Sequence, residues 1–133
     1  ARIGDTEVAL GLISAWGGVL RLPKVVGRGK ATELILTGGM IDAKEAERIG
    51  LVNKTVPADE LTSTVMWTAG IIATKAPIAV RESKKIVSRA METTLEEGNK
   101  MMEESEMLCA KTEDVREGLR AVLEKRTPQF KGK

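Results

Sequence analysis

The chain has 133 residues and contains no histidine, no tyrosine, one cysteine and only three aromatic side chains, Trp16, Trp67 and Phe130. Each absence excludes something. Without histidine, a Ser-His-Asp triad, a Cys-His dyad, a His-ligated zinc and an imidazole base are all impossible within these residues. The single cysteine, Cys109, forbids an internal disulfide and any multi-cysteine metal site, so no metal is expected. Acid–base chemistry falls to Glu, Asp, Lys or Arg, or to that thiol. With so few rings, the core is expected to be aliphatic.

No apolar run approaches the roughly 18 residues of a membrane span, and no signal peptide is visible. A membrane partner is therefore not expected, and the free thiol points to a reducing, cytoplasmic compartment. The net charge of +2 is too small to suggest nucleic-acid binding. The chain starts at Ala1 rather than Met, which suggests processing or truncation.

Hydrophobic residues make up 42% and charged residues 30%, an ordinary balance. At this mass a folded monomer exposes roughly 6,800 Å² against about 21,000 Å² unfolded, enough burial for one modest core. Charge is unevenly placed. Residues 8–32 carry Arg21, Lys24, Arg28 and Lys30 without an acid, residues 92–106 carry six glutamates, and the tail from Lys125 onward is basic. Such runs are either solvated helix faces or, for the basic ones, a place for an anionic ligand.

The first half reads as α/β material. Residues 1–4 and 7–13 suit strand or extended structure. Residues 19–26 suit a short helix interrupted by Pro23, and residues 29–37 a helix stopped at Gly38. Asp42 and Glu45 form a capping-box pattern before an apolar face of Ala43, Ala46 and Ile49. Residues 51–56 are a strand candidate. The second half reads as four helices: one capped by Asp59 with Leu61, Val65, Ala69 and Ile72 on its face, one opened by Pro77, one opened by Thr94 with Glu97, and one opened by Thr112 and bearing Val115, Leu119, Val122 and Leu123. Two or three short strands do not make a self-sufficient sheet, so the opening segment looks like part of a sheet whose other strands lie elsewhere.

Glu7 is the leading candidate for chemistry. It lies in a segment otherwise apolar from Val8 to Leu12, where desolvation would raise a carboxyl pKa into the range of a general acid or base. The alternative is a surface Glu at a strand edge. Gly17-Gly18 is either a turn or a close approach to a ligand. Trp16 reads as core or pocket lining, and Cys109 as a buried structural thiol.

The residues GDTEVALGLISAWGGVLRLPK (4–24) resemble the enoyl-CoA hydratase/isomerase, or crotonase, superfamily. That family shows a G-x-P-E motif followed by a glycine pair. An L-T-G-x-x-I-x-A-x-E-A-x-x-x-G-L-V segment stands almost complete at residues 36–52, and Ala76-Pro77, Lys84, Glu117-Gly118 and E-K-R-x-P-x-F-K-G (124–132) complete the likeness. GGVLRLPK looks most like hydratase- and dehydratase-type members.

The resemblance implies a crotonase-like fold and an acyl-CoA thioester substrate. Coenzyme A enters as part of that substrate, with no separate cofactor. It implies a lyase of fatty acid metabolism that adds water across the C2–C3 double bond of an enoyl-CoA. Glu7 falls on the catalytic Glu of the P-E motif. Ala15, Trp16 and Gly17 fall where the family lines its acyl pocket, and Lys125 on a tail lysine that reaches CoA phosphates. It also implies self-association as a trimer or dimer of trimers.

By this likeness the chain is the C-terminal half of a member. Residues 1–57 would then be core and 58–133 a helical trimerisation region. The missing half would carry the oxyanion N–H groups and another catalytic Glu, so the chain alone is expected to be inactive. An isomerase with Glu7 as sole base, or a non-catalytic assembly module, are the alternatives. Thr6 and Ser14 replace common prolines and Ala15 a frequent glycine; with bulky Trp16, these imply a reshaped acyl pocket and argue against a common straight-chain substrate. Val122 replaces a Phe common near the CoA, which argues against tail contact with adenine.

Overall fold

The computed structural model describes residues 1–133, and contacts divide them into two compact units, Ala1–Ala58 and Asp59–Lys133.

In the first unit, β1 (Arg2–Gly4) pairs antiparallel with β2 (Met40–Asp42), and Ile3 faces Ile41. This two-stranded ribbon is the only sheet. The α/β expectation therefore reduces to a mainly helical architecture. Residues 7–13 do not form a strand: Glu7–Leu10 is a 3-10 turn, closed by Gly11 in the left-handed region. Short apolar runs do not distinguish strand from turn by periodicity.

Helix α1 (Gly18–Val26) runs through Pro23 rather than breaking there, and packs on α2 (Arg28–Thr37), which ends at left-handed Gly38. Asp42 caps α3 (Ala43–Arg48) by accepting the Glu45 N–H at 2.8 Å. Glu45 does not close a reciprocal box. Its carboxylate turns to Arg48 at 2.6 Å and Lys30 at 3.3 Å, and the Arg48 guanidinium holds it at about 2. Residues 51–56, the expected strand, form a loop. Glu47 pins it, accepting both the N–H of Thr55 at 2.9 Å and its hydroxyl. Ala31, Leu34 and Ala46 are the buried apolar residues of this unit.

The second unit holds the four expected helices: α4 (Leu61–Ala73), α5 (Pro77–Arg89), α6 (Leu95–Ala110) and α7 (Glu113–Leu123). Pro77 opens α5, where its missing N–H costs nothing. Thr94 and Glu97 form a full capping box on α6, and Thr112 caps α7. Asp59 is not the cap of α4. It lies in a 3-10 turn, Ala58–Glu60, and the N-cap is Glu60 without a side-chain bond. Between α5 and α6, buried Glu82 accepts from Ser105 at 3.2 Å while Arg81 and Lys85 share its charge.

The expected modest core is not formed. Four apolar residues are buried, the three above and Ala121. The faces assigned to cores stay open: Leu61, Val65 and Ile72 on α4, and Leu119, Val122 and Leu123 on α7, are all exposed. Trp16, at 86% exposure, is not core either. The accessible surface is 10377 Å², whereas two separate compact units of these sizes would expose roughly 8,000 Å².

Candidate active site

The Glu7 site is built by a turn and a helix start. Glu7 is the first residue of the 3-10 turn, and its carbonyl accepts the N–H of Leu12 at 3.1 Å. The side chain is half-buried. The apolar residues meant to desolvate it do not enclose it within this chain. Val8, Leu10, Leu12 and Ile13 are all exposed, Leu10 and Ile13 to 75%. Val8 and Leu10 lie in the 3-10 turn, whose side chains fan outward instead of alternating about a sheet, and Leu12 and Ile13 follow it.

Ala15, Trp16 and Gly17 lie together at the entrance to α1. The Ala15 N–H donates to the Ile13 carbonyl at 2.8 Å, and the Arg21 guanidinium donates to the Trp16 carbonyl at 2.6 Å. Gly17 has φ 92, a left-handed conformation that favours glycine. Gly18 follows against the side chains of buried Ser14 and half-buried Asp5, both too close to leave room for a Cβ. A pocket of about 160 Å³ opens beside it, lined by Ile3, Asp5, Gly18, Leu22 and Ile41 among others, with Asp5 rather than Glu7 as its acid.

Lys125 belongs to the second unit. It is exposed and is the one non-glycine residue with a positive φ, 51, at the end of α7. The residues after it are engaged structurally. Arg126 grips Glu117 with two nitrogens, at 2.6 and 2.9 Å, and Glu124 at 2.6 Å. Buried Asp114 accepts the N–H groups of Lys131 at 2.7 Å and Gly132 at 2.8 Å. Phe130 lies over Gly118. The tail motif is thus a latch onto α7. Asp114 was not singled out from the sequence for this role. An acid at a helix start followed by an F-K-G segment was the available signal.

Cys109 is half-buried rather than buried. It lines an apolar groove of about 290 Å³ with Ala79, Val115, Leu119 and Phe130. No group of three or more Cys, Asp or Glu side chains is arranged to hold a metal ion. No helix is long and apolar enough to cross a membrane.

The family model of enoyl-CoA hydratase/isomerase matches residues 1–133. A crotonyl-CoA hydratase of Syntrophomonas wolfei is 42% identical over 130 residues, covering 98% of this chain and 50% of the relative. A short-chain-enoyl-CoA hydratase of Clostridium acetobutylicum is 41% identical over 126 residues, covering 95% and 48%. Among solved structures, an enoyl-CoA hydratase from Bacillus anthracis superposes with a TM-score of 0.94 at 41% identity, covering all of this chain and 52% of that one.

The chain belongs to the enoyl-CoA hydratase/isomerase family, and its fold is crotonase-like. It spans about half the length of the crotonyl-CoA and short-chain-enoyl-CoA hydratases named above. Those shares do not support the expectation that the matched part is the C-terminal half.

Proposed function

We propose that the protein carrying this chain is an enoyl-CoA hydratase-like acyl-CoA lyase. It adds the hydroxyl of water to C3 and a proton to C2 of a 2-enoyl thioester, and runs the reverse elimination. The observation that carries the reading is a half-buried carboxylate, Glu7, held at a fixed backbone turn in a chain that matches the family model from end to end.

In this reading Glu7 moves the proton at the reacting carbons. Ala15, Trp16 and Gly17 line the acyl pocket, and Lys125 meets the phosphates of the coenzyme A moiety as a mobile cation. The chain alone is expected to be inactive, because the crotonyl-CoA and short-chain-enoyl-CoA hydratases named above are about twice as long. The whole protein is cytoplasmic and assembles as a trimer or dimer of trimers through its helical region, residues 58–133.

The test is hydration of short 2-enoyl-CoA thioesters by the longer protein, followed by loss of the enoyl thioester absorbance. Glu7→Gln should abolish turnover while coenzyme A binding survives. Unchanged turnover in Glu7→Gln sinks the assignment of Glu7. Migration of the double bond without uptake of solvent oxygen would reassign the protein as an isomerase. The coding sequence on both sides of residues 1–133 locates the chain within its parent.

A further inference from the structure

We propose that Arg21 is a positioning residue for Trp16, fixing where the Trp16 backbone stands and hence how far the acyl pocket reaches. The inference rests on the reading of Trp16 as pocket lining.

Arg21 lies in the first turn of α1, and its own N–H donates to the Gly17 carbonyl at 2.9 Å. The side chain then folds back past the helix start, and Nη2 reaches the Trp16 carbonyl at 2.6 Å. That is at the short end for a charged donor. The path crosses the space a side chain on residue 17 would take. A Cβ there would stand 2.5 Å from Nη1 and 2.8 Å from Cζ. The left-handed φ of Gly17 calls for glycine, and the guanidinium occupies the space that glycine leaves.

The placement does not serve the helix. A cation at a helix N-terminus opposes the macrodipole, and α1 has no acid in its first turn. Helix stability alone would favour Asp or Glu at this end. What the arginine gains is a backbone oxygen that the helix ladder does not use. Trp16 itself is 86% exposed within these residues, so little in this chain holds the indole. Its backbone sets the origin and direction of the Cα–Cβ bond from which the indole extends. The backbone is braced on both sides, by Ala15 N–H on the Ile13 carbonyl and by Arg21 on the Trp16 carbonyl.

The test uses the longer protein and a series of enoyl-CoA substrates with short, medium and long acyl chains. Loss of one such exposed, solvent-screened hydrogen bond corresponds to about a fivefold change. Arg21→Ala should shift the ratio of KM between long and short acyl chains by about that factor, with kcat changing less than KM. Arg21→Lys, which keeps the charge and loses the fork, should give a smaller shift in the same direction. It keeps the test readable if Arg21→Ala does not fold.

A chain-length ratio unchanged by Arg21→Ala but altered by Trp16→Ala overturns the inference and leaves the pocket reading standing. A ratio unaffected by Trp16→Ala overturns both. An equal loss of kcat at every chain length, together with a lower melting temperature, assigns Arg21 a purely structural role and also overturns the inference.

Discussion

Glu117 and Arg126 meet fork to fork, Nη1 on Oε1 at 2.6 Å and Nη2 on Oε2 at 2.9 Å, nine residues apart across the end of α7. The geometry ties the tail to the helix, since the same carboxylate also accepts the Gln129 N–H at 2.9 Å.

This pair sets an acid-sensitive window. The Arg126 guanidinium, followed by the Gln129 N–H, holds Glu117 at about 2, against its ordinary 4.5. A depressed carboxyl stabilises the fold above its unfolded value, and that contribution is lost as pH falls through the folded one. The tail should therefore loosen progressively between pH 4.5 and about 2. Glu45, held at about 2 by Arg48, should act in the same window in the first unit. Melting temperature against pH should show the slope. Glu117→Gln should reduce it, leaving the part due to Glu45, and an unchanged slope in that variant would remove the Glu117–Arg126 pair as a source.

Asp114 is 3% exposed and accepts two backbone N–H groups of the tail. Asp114→Ala leaves both donors without their acceptor. Losing two charge-assisted bonds should destabilise the second unit by about 2–4 kcal/mol. Urea unfolding measures it, and amide exchange at Lys131 and Gly132 should rise in parallel.

Two glycines should respond oppositely to a methyl group. At Gly18 a Cβ would overlap the Ser14 hydroxyl and an Asp5 carboxylate oxygen, so Gly18→Ala should cost about 1–3 kcal/mol. Gly70, inside α4, has open space and ordinary φ. There Gly70→Ala should stabilise the chain by about 1 kcal/mol through helix propensity. Thermal melting of the two variants gives both signs.

Thr94 and Glu97 satisfy two helix-end donors of α6 reciprocally. Thr94→Ala should lower stability by about 1 kcal/mol. Circular dichroism should show the first turn of α6 fraying, and a variant of undiminished helicity and stability would count against the cap.

Helix starts were the legible part of this sequence. Thr94, Thr112 and Asp42 cap where their spacing placed them, because a cap is a local bond between near neighbours. Pro77 and Gly38 mark their boundaries for the same reason. Strands were legible only in part: residues 1–4 hold β1 as expected. Pairing of Ile3 with Ile41 joins residues far apart in sequence, and nothing in MID (40–42) announces it. The residues 7–13 and 51–56 have strand-like composition and are held instead by bonds outside a ladder, Gly11 to Glu7 and Thr55 to Glu47.

The candidate site was legible as residue types and not as environment. A carboxylate among apolar neighbours suggested desolvation, yet Leu10 and Ile13 face solvent in this chain. Local sequence states what is apolar. What covers it depends on segments far away in the fold or beyond these residues. The Arg21 contact to Trp16 was invisible for a related reason: a basic residue in a helix gives no sign of which carbonyl it reaches.

The open faces of α4 and α7 have a calorimetric consequence. Heat-capacity change and urea sensitivity both scale with surface newly exposed on unfolding. With 10377 Å² already accessible, against about 21,000 Å² for the unfolded chain, that increment is small for this length. The isolated chain should therefore melt over a broad range with a shallow urea slope. Both transitions should sharpen when its aliphatic faces are covered.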